Sequence, residues 1–148
     1  MTALTRDAIA AEARRWQSTP FRHGGRSAAG VDCVGFVIVV ARALGIVAAS
    51  FDVPAYPRNP DGTMPARMRA AGLVARGQAP LEIGRIVVFH FPPGRARHVG
   101  IVVDAIRGDV LHAVDGLGVS PMRLGQPGAS AARLLMSFDF PMIEDAPA

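Results

Sequence analysis

Gly30-Val31-Asp32-Cys33-Val34-Gly35-Phe36 contains the only cysteine of the chain, and Cys33 opens an apolar stretch that runs to Leu44. The approach, Thr19-Pro20-Phe21-Arg22-His23-Gly24-Gly25-Arg26-Ser27, is rich in turn formers and ends any helix arriving from the N-terminal side. Asp32 has the side chain of an N-cap. The pattern therefore predicts a turn and then a helix over 33–44, with Gly45 as its C-terminal stop. That helix is apolar almost all round, which predicts central burial. A thiol at its first turn faces the positive end of the helix dipole, a position expected to favour the thiolate.

Working outward, Thr5 to Trp16 reads as a helix. Thr5 caps it, Asp7 lies in the first turn, and Ala8, Ile9, Ala13 and Trp16 form the apolar face. Residues 50–63 carry Pro54, Pro57, Pro60 and Gly62 and read as irregular, with Tyr56 the only tyrosine. Met64 to Leu73 predicts a short amphipathic helix ending near Gly72 or Gly77. Beyond it the chain turns β-branched. Arg85 to Phe91, His98 to Val103 and Val110 to Val114 read as strands. Turns at Pro92-Pro93-Gly94 and Arg107-Gly108-Asp109 separate them, and Arg133 to Phe140 reads as a last strand. Helices followed by closely spaced strands predict an α+β domain with an antiparallel meander.

The length of 148 residues fits one domain, and an apolar content of 50% excludes a disordered chain. The longest apolar run, Phe36 to Ala41, is too short to span a bilayer. The first residues lack the layout of a secretory signal, so the expected product stays in the cytoplasm or leaves by another route. A lone cysteine forms no internal disulfide and no multi-cysteine zinc site, and His23, His90, His98 and His112 have no metal-motif spacing. The net charge of +4 is carried by arginine alone, in scattered pairs such as Arg14-Arg15. No nucleic-acid motif accompanies it.

One cysteine with distant histidines is a nucleophile–base pattern. His98 and His112 fall on adjacent strands of the expected meander, where side chains can share a face. In that arrangement His98 takes the proton of Cys33, His112 hydrogen-bonds the other ring nitrogen of His98, and backbone N–H groups at the start of the cysteine helix stabilise an oxyanion. His90 alternates with Phe89 and Phe91 and reads as structural, facing the other side of its strand. His23 lies in the glycine-rich approach and reads as lining a cleft.

These residues resemble a known family. Thr19 to Gly25 followed by Gly30 to Val37 resembles the NlpC-type cysteine peptidases, the papain-like cell-wall endopeptidases. Arg97 to Val102 resembles that family's histidine strand, and Leu111-His112-Ala113 its third-residue strand. The resemblance implies a papain-like α+β fold with the nucleophile helix packed on the meander. It implies catalysis by Cys33, His98 and His112, with Phe21, His23 and Asp32 on the substrate side and no cofactor. The implied partner is the peptidoglycan stem peptide, cut at a γ-D-glutamyl-diaminopimelate or similar link. The small, basic format is similar to peptidases of phage tails and gene transfer agents, which implies tail proteins as further partners. The chain departs from the family where Phe21 replaces a common tyrosine, His23 a tryptophan and Val34 a serine. Two other readings share these features: a non-catalytic tail assembly module, and a thiol amidase or acyltransferase acting on another amide. In the leading reading Arg22 or Arg26 meets a substrate carboxylate.

Overall fold

The structure is a computed structural model that describes residues 3–57, 63–91, 97–124 and 132–144. Helix α1 spans Arg6–Arg15, and the Thr5 side chain accepts the Ala8 N–H to cap it. Its buried face is Ile9, Ala10 and Ala13, at helical spacing. Helix α2 spans Cys33–Ala43, capped by the Asp32 side chain. Every residue from Gly35 to Ala41 is buried, as its all-round apolar pattern requires. It ends at Leu44, and Gly45 adopts a φ of 71°, which glycine reaches without a Cβ penalty. Gly35 is needed for space: a Cβ there would lie 2.2 Å from the Gly25 carbonyl oxygen. The helix thereby nests against the glycine-rich approach. There a two-residue pair, β1 (Arg26–Ser27) and β2 (Gly30–Val31), closes a tight antiparallel hairpin.

Helix α3 covers Met64–Ala70, shorter than its amphipathic pattern, and Gly72 follows with a φ of 95°. The strands are β3 (Val74–Gly77), β4 (Ile86–His90), β5 (Arg97–Asp104), β6 (Asp109–Val114), β7 (Gly118–Arg123) and β8 (Arg133–Asp139). They form a six-stranded sheet in the order β3-β8-β4-β5-β6-β7. The run from β4 to β6 is the antiparallel meander read from the sequence, β7 extends it by one strand, and β8 returns to pair with the free edge of β4. The turn at Pro92-Pro93-Gly94 lies outside the described residues.

Two strands of the six-stranded sheet escape a periodicity reading, and both lie at its edges. β3 is exposed at all its positions, so it has no alternation to detect. β7 carries Pro121, which a central strand does not accept but an edge strand does.

The sheet buries both faces. Val88, Val99, Ile101, Leu111 and Phe138 pack with Phe36, Val40, Ile9 and Ala13 of the two long helices. Val87, Phe89, Val102, Val110 and Leu124 form a second cluster. Alternation along β4 and β5 assigns these sets to opposite faces. Asp139 fastens α1 to the sheet. It is 1% exposed, and its oxygens accept from Arg6 at 3.0 and 3.1 Å, Arg85 at 3.1 and 3.2 Å and Arg76 at 2.8 Å. Those guanidinium groups hold its carboxyl far below the usual carboxylate range, against the opposing effect of burial.

Candidate active site

Asp32 organises the approach to Cys33. It is 4% exposed, and its Oδ1 accepts the Gly35 N–H at 2.7 Å. The other oxygen, Oδ2, accepts the Gly24 N–H at 2.7 Å and the Tyr56 hydroxyl at 2.5 Å. The Arg26 Nη1 donates to Oδ1 at 3.3 Å, its Nη2 to the Tyr56 hydroxyl at 2.9 Å and its Nε to Asp52 at 3.0 Å. One carboxylate thus joins the helix start, the glycine-rich turn and the irregular segment that carries Tyr56. Asp32 is engaged inward, and Arg26 is committed to this network. Exposed His23 places Nδ1 3.8 Å from Asp32 Oδ2 and its ring edge-on to Tyr56 at 5.7 Å. Phe21 is half-buried and bridges to Val31. Arg22 is exposed.

The two histidines meet on Phe89. Phe89 and His98 are direct cross-strand partners, with rings stacked at 5.7 Å and 24°. His112 stands edge-on to the same ring at 5.3 Å. Gly100 lets β5 and β6 approach beside it: a Cβ there would lie 2.6 Å from the Leu111 carbonyl oxygen and from Val110 Cγ1, and 3.2 Å from the His112 Cβ. His90 pairs with Arg97 and, by alternation, faces away from Phe89.

Cys33 approaches from the helix side. The backbone N–H groups of Val99, Val34 and Cys33 itself are directed at its sulfur. Val99 immediately follows His98, so the nucleophile candidate abuts the strand at the histidine. Cys33, His98 and His112 border one cavity, together with Phe21, His23 and Tyr56. Among the described residues, no hydrogen bond joins Cys33 to His98 or His98 to His112, and the buried His112 Nδ1 has no partner.

The electrostatics correct one sequence expectation. Burial first, then the Asp32 charge, pushes the Cys33 thiol up to about 11, outweighing the N–H groups that favour the thiolate. Burial lowers His98, and burial together with His98 pushes His112 down to about 4. Around the cavity, therefore, the resting thiol is neutral and both imidazoles are held towards the neutral form. A neutral imidazole can accept a proton, so the arrangement suits general-base activation. Among the described residues no group of three metal-ligating side chains converges, and no helix is long and apolar enough to cross a membrane.

The NlpC/P60 family model matches residues 18–131, the span that holds all of these groups. The chain belongs to the NlpC/P60 family.

No curated protein sequence matches it. Solved NlpC/P60 structures share its fold. The NlpC/p60 domain of the peptidoglycan hydrolase SagA is 22% identical with a TM-score of 0.59, and the match covers 90% of this chain and 98% of that domain. An NlpC/P60 family protein from Bacillus cereus is 19% identical with a TM-score of 0.65, the match covering 94% of this chain and 41% of that one. NlpC2 from Trichomonas vaginalis is 16% identical with a TM-score of 0.64, the match covering 95% of this chain and 48% of that one. The chain thus spans less than half the length of the latter two proteins.

Sequence reasoning missed two parts of this NlpC/P60 site. In the sequence Tyr56 stands out only as the tyrosine of an irregular segment, yet it brings a hydroxyl to Asp32. Phe89 reads as one apolar residue of a strand, yet its ring meets both imidazoles. The signal for Phe89 is register, because β4 and β5 pair with Phe89 directly across from His98.

Proposed function

We propose that this NlpC/P60 chain is a cysteine peptidase that hydrolyses peptidoglycan stem peptides, at the γ-D-glutamyl-diaminopimelate link or a close equivalent. The observation that carries the reading is the single cavity bordered by Cys33, His98 and His112 in a chain of this family. Cys33 Sγ attacks the amide carbon as its proton passes to His98. The N–H groups at the start of α2 face the charge that develops there. His98 returns the proton to the leaving amine, a thioester forms on Cys33, and water activated by His98 hydrolyses it. His112 acts as a positioning residue: it meets edge-on the same Phe89 ring on which His98 stacks.

The test is a defined tripeptide, L-alanyl-γ-D-glutamyl-diaminopimelate, followed by mass. Wild type releases diaminopimelate, whereas Cys33→Ala and His98→Ala do not, with their circular dichroism unchanged. Full activity in a folded Cys33→Ala variant overturns the reading.

A further inference from the structure

Residues 51–57 have no regular secondary structure, yet they are fastened at Phe51, Asp52 and Tyr56. Arg42 Nε donates to the Phe51 carbonyl at 2.8 Å and Arg26 Nε to Asp52 at 3.0 Å, while the Tyr56 hydroxyl donates to Asp32 Oδ2 at 2.5 Å. Phe51, Val53 and Tyr56 are half-buried and border the cavity of Cys33, whereas Asp52, Pro54 and Ala55 are exposed. The segment is thus a strap along the cavity wall, and Tyr56 ties it to the residue that precedes the nucleophile.

At Tyr56 the strap meets the electrostatics of Cys33. The charge of Asp32 opposes ionisation of the thiol, second only to burial. The Tyr56 hydroxyl donates to that same carboxylate. Arg26 donates to the hydroxyl at 2.9 Å and to Asp32 at 3.3 Å, and its guanidinium carbon lies 5.6 Å from the centre of the Tyr56 ring. A hydrogen bond to a carboxylate spreads its charge onto the donor, which weakens its field at a thiol one residue away. The bond also orients the carboxylate so that its other oxygen caps α2 through the Gly35 N–H at 2.7 Å.

We propose that Tyr56 is a positioning residue for Cys33: through Asp32 its hydroxyl shares the charge beside the thiol and holds the start of α2 where the thiol is presented. The inference rests on the reading of Cys33 as the nucleophile and deepens it. It makes the strap a working part of the reactive centre as well as a cavity wall.

Cys33 is the only cysteine and Tyr56 the only tyrosine of the chain. Alkylation by iodoacetamide, located by mass, therefore reads one thiol, and biosynthetic replacement of tyrosine by a ring-fluorinated tyrosine changes one hydroxyl. The test compares alkylation rates at pH 9 in folded wild type, Tyr56→Phe and the fluorinated protein. The charged and titratable neighbours are the same in all three: Arg26 and His23 at Asp32, and Arg97, His98, His112 and Asp115 along the cavity. Tyr56→Phe is expected to slow alkylation roughly threefold or more, and the fluorinated hydroxyl, a stronger donor, to speed it. In an Asp32→Asn background, which has no carboxylate to share, Tyr56→Phe is expected to leave the rate unchanged. A strap that merely covers the thiol gives the opposite sign, because Tyr56→Phe then exposes Cys33 and speeds alkylation. That result overturns the proposal, as do equal rates in the three proteins or an undiminished effect in Asp32→Asn. On the defined tripeptide Tyr56→Phe lowers kcat with KM little changed. If wild type leaves the tripeptide uncut while the alkylation order holds, the stem-peptide assignment fails and the role of Tyr56 stands.

Discussion

Phe89 and His98 face each other directly across β4 and β5, with their rings stacked at 5.7 Å. The same Phe89 ring meets His112 edge-on, so one buried apolar side chain sets the lateral position of both imidazoles. Phe89→Leu keeps an apolar filler but removes the flat surface. The expected outcome is a loss of about 1 kcal/mol in stability and a fall in kcat of roughly tenfold or more with KM little changed. Steady-state kinetics on the defined tripeptide, paired with urea unfolding, separates the two effects. A proportional fall in activity and folded fraction would show that Phe89 serves packing alone.

The state of Cys33 is open to direct titration. Burial and Asp32 raise its thiol to about 11, so alkylation by iodoacetamide is slow at pH 7 and climbs with a midpoint near that value. In the proposed mechanism His98 serves as base, so substrate turnover is expected well below that midpoint. An alkylation midpoint below pH 8 would contradict the desolvated-thiol description.

Stability also varies with pH in a defined direction. The His112 folded value of about 4 lies below its ordinary 6.5. The unfolded chain therefore binds a proton that the folded one refuses between those values. Stability is full above pH 6.5 and is lost as pH falls towards 4, by about 2 kcal/mol from pH 7 to 4.5. The lowered His98 acts in the same direction. Urea midpoints across this range check the slope, and His112→Gln is expected to flatten it.

Much of this fold could be read from local pattern, and its limits have physical causes. Caps and period gave α1 and α2, because Thr5 and Asp32 are cap residues that precede apolar periodicity. β4, β5 and β6 carry dense β-branched runs because they lie in the middle of the sheet. β3 and β7 are edges, where exposure and Pro121 erase the pattern. At the candidate site, residue types drew attention to Cys33, His98 and His112. The contact of Tyr56 with Asp32 spans 24 positions and depends on how an irregular segment folds back, which no local pattern encodes. The thiol shift was illegible for a similar reason: the helix dipole is a local property, whereas desolvation is set by the tertiary surroundings.

Asp139 provides a stability test remote from the cavity. It accepts from Arg6 of α1, Arg76 of β3 and Arg85, the residue before β4. Asp139→Asn keeps the shape but leaves buried guanidinium groups without their charge partner. A destabilisation of about 3–5 kcal/mol is expected, measured by urea unfolding at pH 7. A change under 1 kcal/mol would show that the arginines find other partners.

The central claim is that Cys33 performs amide hydrolysis on the cell wall. Its most direct test is digestion of purified peptidoglycan, with product masses read for wild type beside folded Cys33→Ala. Release of stem-peptide fragments by wild type alone, with masses placing the cut between D-glutamate and diaminopimelate, is the predicted result. No release by folded wild type across walls of different stem chemistry, or equal release by Cys33→Ala, would contradict it.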